Sequence, residues 1–581
     1  MRFFIFTLCY SYSLIHAQIT KFDWIISEGY NSSIGNIQLT TDLFSNTIVA
    51  FRYIISPIEQ CGKKYISNTE NTDIEFLVKY NSKGQCIWQH KFTDNFTGVL
   101  DAGLFLSTDL QGNILIAGAH RGKVWLDSEH YIQSPDGIGE AFVAKLDPNG
   151  KLLWHRILKN EKGKLGNVST IDVTNDSDGN VYLSSYHATD HLILDSLKIE
   201  YKSLKGYYKT TLFKFDPNGN LKWYKKMESY GSIFQKVAIN SLEDVILVGS
   251  FRGKELIVDQ FVLANRDTLT PDLTSEGVLL VLNRDGNVKY MKSIGGFATD
   301  FIDQLAIDDQ GNIFIGGSSE SKEIEIFSKM IKSLPTSQYA INFLAKINPI
   351  YELEWLYEDH VLGMFGLYYI ILDQKQELWT AWELNRDTIY LKGLPYVSPG
   401  NSSPDLLFIR FNNNGNMEQV FQLQGKGRES SGCVDCTGLH PDGGIVIGGK
   451  FTSDTLYFGD YALPTVARKK IGDQYTSSAF IARISPDGMV GSKDVSKQES
   501  SLISIHPNPA RDLIQIRFDD DLSADGIVEI LTTTGTVMKS LIISEGSTSA
   551  IVDMHEWPAG VYFVRYRDNE GRSSVERVVV E

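Results

Sequence analysis

One hairpin pattern recurs around most of the chain, and its clearest copy is AFVAKLDPNGKLLWHRIL at residues 141–158. Two runs rich in β-branched, aromatic and aliphatic residues flank the turn sequence DPNG, as is typical of pleated strands. Pro148 presets the backbone angle of the second turn position, Asp147 can hydrogen-bond its own backbone, and Gly150 can adopt the left-handed conformation. The pattern therefore predicts two antiparallel strands joined by a tight turn.

The pattern occurs seven times, with its turn positions 64 to 73 residues apart. The turn positions are Gly84, Gly150, Gly219, Gly286, Tyr351, Gly415 and Gly488. The residues four positions later are Trp88, Trp154, Trp223, Tyr290, Trp355 and, in the degenerate sixth copy, Gln419. We interpret these aromatic residues as packing between neighbouring repeats, because they occupy one fixed strand position.

The two ends of the repeat region complement each other. The seventh turn lacks a following tryptophan strand, whereas KFDWIIS at residues 21–27 carries Trp24 without a preceding turn. A second turn motif, of the type DxxGN, also occurs seven times, within residues 39–53, 107–120, 173–186, 238–251, 306–319, 371–384 and 439–451. Four strands per repeat predict an all-β fold, a seven-bladed β-propeller whose N-terminal strand closes the last blade. The alternative is a series of unrelated hairpins in a β-sandwich.

The alternation of short and long connections predicts a ligand face. Both short turns of a blade lie at one edge, and long, dissimilar loops lie at the other. The long loops cover residues 120–140, 187–210, 252–276, 320–340, 385–404 and 452–478. Since variable loops on a rigid scaffold usually carry binding sites, we expect the unidentified ligand at this edge.

The repeats resemble the bacterial β-propeller (SBBP-like) repeats, in which a D-x-x-G-N strand precedes F-x-x-K-x-D-x-x-G-x-x-x-W. The resemblance covers residues 21–488, and the motif is eroded around Tyr351 and Gln419. Such repeats occur in secreted and surface proteins. The resemblance implies a binding or scaffold role rather than one particular chemistry.

The N-terminal segment MRFFIFTLCYSYSLIHA predicts a secretory signal at residues 1–17, cleaved after Ala17. A membrane anchor is the alternative, but the apolar run is shorter than the roughly 20 residues that a spanning helix needs. We expect no transmembrane segment in the mature chain. A net charge of −16 disfavours nucleic acid and anionic lipid as partners.

Four cysteines remain after removal of the signal: Cys61, Cys86, Cys433 and Cys436. An even number in an oxidising compartment favours structural disulfides, with Cys61–Cys86 and Cys433–Cys436 as the predicted pairs. A redox pair or half of a zinc site at Cys433 and Cys436 is the alternative, but no second CxxC or HxxxH could complete four ligands. We predict neither a metal nor a cofactor.

A polar linker at residues 490–500 separates the repeat domain, residues 21–489, from a different pattern at residues 501–581. Short alternating strands there predict a small Ig-like β-sandwich. The segment resembles the C-terminal sorting domain (type A) of the type IX secretion system of Bacteroidetes. The residues that carry this resemblance are Pro507, Asn508, Pro509, Gly535, Pro558, Gly560 and Tyr562.

The resemblance implies that the secretion machinery recognises this segment and exports the protein through the periplasm and across the outer membrane. In that family the domain is typically cleaved off, and the passenger is released or attached to surface lipopolysaccharide. Arg577 stands where the family often has a lysine. From the residues alone, the alternative is a sandwich that binds carbohydrate.

No catalytic motif is present: the chain lacks GxSxG, HExxH, a P-loop and GxGxxG in a strand–helix context. We interpret His187 and His191 as surface residues, and residues 176–180, which resemble the start of a calcium loop, as a plain turn. The sequence thus predicts a non-enzymatic protein, secreted or surface-attached, that binds a glycan or protein. The alternative is a polysaccharide hydrolase or lyase whose carboxylates converge from different blades.

Overall fold

In a computed structural model, every regular element of the described residues is a β-strand, which confirms the predicted all-β class. The chain divides into two compact units, and the second contains Ser492–Glu581. The predicted signal peptide, its cleavage site at Ala17 and the predicted linker lie outside the described residues. The structure describes residues 22–485 and 503–580 except 29–33, 54–57, 66–73, 93–102, 136–138, 161–167, 202–207, 333–340, 360–363, 385–387, 392–393, 398–404, 426, 431–435, 459–460, 465–469, 472–473, 476, 509, 512, 519–524, 533–536, 545, 556 and 569–572.

The first unit opens with β1 (Phe22–Glu28) and continues as a succession of sheets, each with a hairpin inserted between its second and third strands. Sheet 1 contains β2 (Ile34–Thr41), β3 (Thr47–Tyr53), the hairpin β4 (Ile58–Gln60) and β5 (Lys63–Tyr65), then β6 (Ile74–Tyr80) and β7 (Cys86–Lys91). Sheet 2 contains β8 (Phe105–Thr108), β9 (Ile114–His120), β10 (Lys123–Trp125), β11 (Tyr131–Gln133), β12 (Glu140–Leu146) and β13 (Leu152–Asn160). Sheet 3 contains β14 (Val168–Asn175), β15 (Val181–His187), β16 (His191–Leu194), β17 (Leu197–Glu200), β18 (Lys209–Phe215) and β19 (Leu221–Met227).

The next three sheets repeat this order of six strands. Sheet 4 contains β20 (Gly231–Ile239), β21 (Val245–Arg252), β22 (Glu255–Val258), β23 (Phe261–Ala264), β24 (Glu276–Leu282) and β25 (Val288–Ile294). Sheet 5 contains β26 (Asp300–Ile307), β27 (Ile313–Ser319), β28 (Glu323–Ile326), β29 (Lys329–Lys332), β30 (Ile341–Ile347) and β31 (Leu353–Asp359). Sheet 6 contains β32 (Met364–Leu372), β33 (Leu378–Leu384), β34 (Thr388–Leu391), β35 (Leu394–Val397), β36 (Asp405–Phe411) and β37 (Met417–Gln424).

Sheet 7 combines strands from both ends of the repeat region. Its C-terminal part contains β38 (Glu429–Ser430), β39 (Thr437–Leu439), β40 (Ile445–Phe451), β41 (Thr455–Phe458), β42 (Tyr461–Pro464), β43 (Lys470–Ile471), β44 (Gln474–Tyr475) and β45 (Ser478–Ile484). The N-terminal strand β1 pairs antiparallel with β45, so that Ile26 lies opposite Ile481. The strand that the sequence leaves without a turn partner therefore becomes the outermost strand of the last sheet.

The sheets contact one another through their first strands. In chain order β2, β8, β14, β20, β26, β32 and β39 each contact the next, and β39 also contacts β2. Buried apolar residues cluster between neighbouring sheets: Leu183 of sheet 3 packs with Leu115 of sheet 2, and Leu247 of sheet 4 packs with Tyr182 of sheet 3. The second and third strands of each sheet are buried along almost their whole length because they are covered on both faces.

The second unit contains two antiparallel sheets around one core. Its strands are β46 (Ile503–His506), β47 (Leu513–Phe518), β48 (Gly526–Thr532), β49 (Val537–Ile543), β50 (Ser549–Asp553), β51 (Gly560–Asp568) and β52 (Ser573–Val580). The sheet orders are β46-β47-β50 and β49-β48-β51-β52. Alternate residues of both sheets point inward, and Ile514, Ile516, Val564 and Tyr566 are fully buried in the shared core. Within the part of the chain that the structure describes, no helix has the length and apolar character to cross a membrane.

Candidate functional site

The DxxGN motif closes the first turn of a sheet and ties that turn to the third strand. In sheet 1, Asp42 Oδ1 accepts hydrogen bonds from the backbone N–H groups of Phe44 and Asn46, at 2.9 Å each. Its other carboxylate oxygen lies 2.9 Å from Nζ of the buried Lys79. The short-turn edge is therefore occupied by structural contacts.

The same arrangement explains the segment that resembles a calcium loop. Asp176 accepts hydrogen bonds from the Asn180 backbone at 2.8 Å and from the Tyr182 hydroxyl at 3.0 Å. Nζ of Lys214 lies 3.4 Å from the same carboxylate. The carboxylate is thus engaged within the protein, as expected for a plain turn.

Where a sheet carries the repeated tryptophan, this residue contacts the second short turn of the next sheet. Its indole Nε1 donates a hydrogen bond of 2.8 to 3.2 Å to a main-chain carbonyl there, in the pairs Trp24–Ser82, Trp88–Pro148, Trp154–Pro217, Trp223–Arg284 and Trp355–Asn413. Trp24 makes this contact from β1, so the junction between sheets 7 and 1 has the same bond as four other junctions. These bonds confirm that the aromatic residues pack between repeats.

The eroded fifth copy keeps the contact with a different pair of side chains. Tyr351 replaces the turn glycine and Tyr290 replaces the tryptophan of the preceding sheet. The two rings stack with their centroids 4.3 Å apart and an interplanar angle of 15°. Loss of the glycine is therefore accommodated by a partner that stacks on the larger side chain.

Replacing Gly219 by alanine is expected to lower the free energy of unfolding by about 2–5 kcal/mol, from left-handed backbone strain and overpacking together. Gly219 has φ +82°, and an added Cβ would lie 2.6 Å from Cδ2 of Trp154. Gly179→Ala is the matched control, because Gly179 has φ +78° but a Cβ there would meet only Pro217 at 3.6 Å. Urea unfolding should give about 1–2 kcal/mol for this control. Equal losses in the two variants would contradict a packing role for Trp154.

The long loops at the opposite edge are not dissimilar, contrary to our prediction. Each of the six contains a two-stranded hairpin, namely β10–β11, β16–β17, β22–β23, β28–β29, β34–β35 and β41–β42, and the corresponding connection of sheet 1 contains β4–β5. LILDSLKIE and LIVDQFVLA, at residues 192–200 and 256–264, show the shared pattern of alternating apolar residues around a two-residue turn. Asp195 and Asp259 take left-handed φ angles of 52° and 53° there, which aspartate tolerates. This period of two residues could have revealed the hairpins from the sequence.

Several hairpins bind to the outer strand of the preceding sheet. β16 pairs with β13, and β41 pairs with β37. At the junction of sheets 3 and 4, Glu228 and Ile257 exchange backbone hydrogen bonds of 2.9 and 2.8 Å, and Gly295 and Glu325 do the same between sheets 4 and 5. These hairpins hold neighbouring sheets together, so part of the predicted ligand face is structural.

The long-loop edge nevertheless carries most of the exposed apolar surface of the first unit. Of the sixteen exposed large apolar side chains described there, eleven lie on the hairpins or adjoining connections: Tyr131, Leu197, Tyr208, Phe261, Val262, Leu269, Leu273, Phe297, Met330, Tyr457 and Tyr461. The other five, Leu43, Ile87, Leu153, Leu242 and Ile350, lie on short turns or outer strands. Exposed apolar surface of this kind marks interaction sites.

Two rigid loops of sheets 4 and 5 present the most exposed of these residues. Leu269 is 91 % and Leu273 73 % exposed on the connection after β23, and Phe297 is 75 % exposed on the connection after β25. Asp267 holds the first loop, because its carboxylate accepts hydrogen bonds from Leu269 N, Thr270 N and the hydroxyls of Thr270 and Thr274.

Hydrogen bonds join the two loops at both of their ends. Arg266 donates to the Gly295 carbonyl oxygen, and Asp300 N donates to the Ser275 carbonyl oxygen at 2.7 Å. We call Leu269, Leu273 and Phe297 the sheet 4–5 apolar surface. The hydrogen bonds hold the backbone that carries these side chains, so binding would cost little backbone conformational entropy.

A second candidate site lies on the first strands, where charged residues stand at β-bulges. The bulges fall between Thr170 and Asp172, between Phe234 and Lys236, and between Ile302 and Gln304. Bulges frequently reorient side chains next to active sites.

The carboxylates at these bulges differ in their partners. Asp172 Oδ2 accepts the backbone N–H of Val237 of the next sheet at 2.8 Å. Oδ1 of Asp303 has no hydrogen-bond partner among the described residues. Burial raises the pKa of Asp303 to about 7, although the positive charge of Lys236 opposes the shift. The members of this cluster come from three successive sheets and are 64 and 67 residues apart, so the repeat spacing is the sequence signal that could have found them.

His187 is buried and not on the surface, so its prediction was wrong. It ends β15, a second strand covered by neighbouring strands on both sides. Its Nδ1 lies 3.0 Å from the Thr189 carbonyl oxygen, and burial lowers its pKa to about 3. His191 begins β16 and is partly buried. Among the residues with described positions, no group of three or more His, Cys, Asp or Glu side chains could hold a metal ion.

The first of the two predicted disulfides is present. Cys61 and Cys86 are bonded, with their Cα atoms 5.8 Å apart, and the bond joins the hairpin of sheet 1 to β7. Cys433 lies outside the described residues, so its pairing with Cys436 stays a prediction. Cys436 itself is buried, with its Sγ 3.3 Å from the Ile37 carbonyl oxygen.

In the second unit, the residues around Asn508 hold the C-terminal strand. Val579 N donates to Asn508 Oδ1 at 3.0 Å, and Ala510 N donates to the Val579 carbonyl oxygen at 2.7 Å. Pro507 precedes Asn508 in the chain, and the peptide bond between His506 and Pro507 is cis. Pro509 and Gly535 of the predicted sorting motif lie outside the described residues.

The other part of the predicted motif supports the same strand. The Tyr562 hydroxyl donates to the Pro558 carbonyl oxygen at 2.8 Å. Gly560 lies opposite Val580 in the pairing of β51 with β52. Asn508, Gly560 and Tyr562 therefore all lie beside β52, although they are widely spaced in the sequence.

Residues 504–581 match a secretion system C-terminal sorting domain. This match supports the predicted type IX sorting signal, and the protein is exported to the cell surface or secreted. The sorting domain implies an interaction with the secretion machinery. The predicted motif residues that are described serve the internal structure of this domain.

The repeat region has more distant relatives. The chain is 21 % identical to an uncharacterized WD repeat-containing protein of Acanthamoeba polyphaga mimivirus, over 52 % of this chain and 26 % of that protein. The chain thus spans about a quarter of the length of this curated relative. Two solved structures of unknown function are also similar. The alignment with the Dyadobacter fermentans protein covers 80 % of this chain and 99 % of that protein, at 9 % identity and a TM-score of 0.36. The alignment with the Bacteroides caccae protein covers 60 % of this chain and 89 % of that protein, at 8 % identity and a TM-score of 0.31. Similarity at this level says nothing about ligand or activity.

Proposed function

We propose that this exported protein is a seven-bladed β-propeller that binds a protein or glycan at its long-loop edge, without catalysis. The propeller is supported by the contacts between successive first strands, including that of β39 with β2, and by the place of β1 in sheet 7. The equivalent Trp24–Ser82 bond at the junction of sheets 7 and 1 supports it further. We take the repeats to be of the bacterial β-propeller type.

The observation that carries the binding role is the sheet 4–5 apolar surface on rigid loops. An exported protein that exposes Leu269, Leu273 and Phe297 to water gains stability when a partner covers them. Two leucines offer apolar area but no hydrogen bonds for sugar hydroxyls. The surface therefore favours a protein partner over a glycan.

The triple variant Leu269→Ser/Leu273→Ser/Phe297→Ser is expected to abolish partner binding with little effect on stability, because exposed substitutions usually change stability by less than about 0.5 kcal/mol. The matched control is Leu242→Ser/Ile350→Ser, since these residues are 72 % and 71 % exposed on short turns. A photo-crosslinking residue is placed at position 273 or at position 350 of the protein in producing cells. Only position 273 should yield one defined adduct. An adduct only from position 350, or unchanged glycan-array binding by the triple variant, would contradict the proposal.

The second candidate function is hydrolysis or elimination on a polysaccharide, which the Asp303 cluster favours. A carboxyl with a pKa of about 7 is about half protonated at neutral pH and could act as a general acid near Lys236. Activity on a polysaccharide panel would then fall as the pH rises through 7, since the acid must be protonated. Asp303→Asn should lower this activity by about 100-fold or more, which is the usual effect of losing a general acid. Turnover with this signature would overturn the non-catalytic proposal.

A further inference from the structure

The sorting domain exposes an apolar patch on the outer face of its four-stranded sheet. Ile527 of β48 lies directly opposite Ile542 of β49, and Ile542 is 83 % exposed. Val537 and Met538 of β49 are exposed as well. Because Val528 and Ile530 fill the inner face of β48, this patch is additional to the core.

Basic side chains border the patch. Arg567 of β51 lies opposite Ile527 and is exposed. Two residues earlier on β51, the Arg565 guanidinium donates two hydrogen bonds, of 2.6 and 3.0 Å, to the Glu529 carboxylate of β48. The charge of Arg565 is therefore balanced within the sheet. The patch therefore combines cross-strand isoleucines with the exposed charge of Arg567.

We infer that this patch is the surface by which a protein subunit of the secretion machinery recognises the sorting domain. Export requires that the machinery contact this domain, whereas the described motif residues Asn508, Pro558 and Tyr562 hydrogen-bond within it. The isoleucine pair would supply the buried centre of the interface and Arg567 its charged rim. The fitting partner surface is apolar with an acidic group at its border.

The experiment compares two double variants of the full-length protein in a bacterium that displays the wild type. Ile527→Thr/Ile542→Thr removes the patch, and threonine preserves strand propensity. Leu513→Thr/Ile551→Thr is the matched control, because both residues are exposed on the other sheet of the domain. Immunoblots of periplasmic and surface fractions give the readout, and limited proteolysis of the periplasmic protein reports folding.

We expect the first variant to accumulate in the periplasm as folded protein and the control to reach the surface normally. Normal display of the first variant, or equal retention of both, would overturn the inference. If the first variant is protease-sensitive, the variant Arg567→Glu provides the test, because it alters the rim of the patch and not the packing of the domain. Retention of this variant in the periplasm supports the inference, and its normal display at the surface overturns it. Purified protein that binds lipopolysaccharide vesicles through Ile527 and Ile542 would also overturn it, in favour of a lipid.

Discussion

Removal of residues 502–581 is expected to trap the protein in the periplasm, with the surface fraction falling from nearly all of the protein to nearly none. The reason is that residues 504–581 match the secretion sorting domain, which the export machinery must contact. Fractionation of producing cells, with immunoblots against the first unit, measures the change. The first unit should remain folded, because its apolar clusters contain no residue of the sorting domain.

The matched control replaces residues 490–500 by a Gly/Ser segment of equal length. A Gly/Ser segment is a flexible connection, so display should be unaffected. If the truncated protein reached the surface as well as the wild type, the sorting function would have to lie elsewhere in the chain.

The variant Phe22→Ala is expected to lower the free energy of unfolding by about 3–5 kcal/mol, the usual cost of truncating a buried phenylalanine. Phe22 is the buried side chain of β1. Its ring packs edge-on against Phe458 at a centroid distance of 5.2 Å and against Phe421 and Tyr461 at 6.2 Å each. Loss of the ring therefore weakens the attachment of the N-terminal strand to sheets 6 and 7. Urea unfolding of the mature protein provides the measurement.

Phe297→Ala is a suitable control, because its ring is exposed and its removal should change stability by less than about 0.5 kcal/mol. Hydrogen exchange locates the effect: amides of β45, which pairs with β1, should exchange faster in Phe22→Ala. Unchanged stability together with unchanged exchange in β45 would mean that β1 contributes nothing to sheet 7.

The contacts explain why the same residue types recur at fixed positions of the repeat. The turn aspartate binds its own backbone and a lysine of the third strand, as Asp42 does with Lys79. The tryptophan binds the next turn, as Trp154 does at Pro217. The motif thus encodes closure within each sheet and attachment to the following one, and it carries no information about the ligand.

Sequence reasoning succeeded where a local rule governs the structure. Turn residues such as Asp147 and Gly150 have strong backbone preferences, and strands alternate with a period of two, so the strands and turns could be predicted. Pairing of β1 with the last sheet followed from counting, because Trp24 has no turn of its own. The hairpins of the long loops were not predicted, because the DxxGN and DPNG motifs do not extend into them. Their sequence signal is the alternation of apolar residues seen in LILDSLKIE.

The sequence alone determined the four main strands of each sheet, the seven-fold repetition, the C-terminal sorting signal and the first disulfide, because each depends on neighbouring residues, on counting or on a family motif. Only the tertiary structure brought Asp172, Lys236 and Asp303 onto the first strands of successive sheets, 64 and 67 residues apart in the chain. It also joined the loops that carry Leu269 and Phe297. Such juxtapositions depend on how the sheets pack. The repeat spacing relates equivalent positions of successive sheets, but it does not show which side chains face one another.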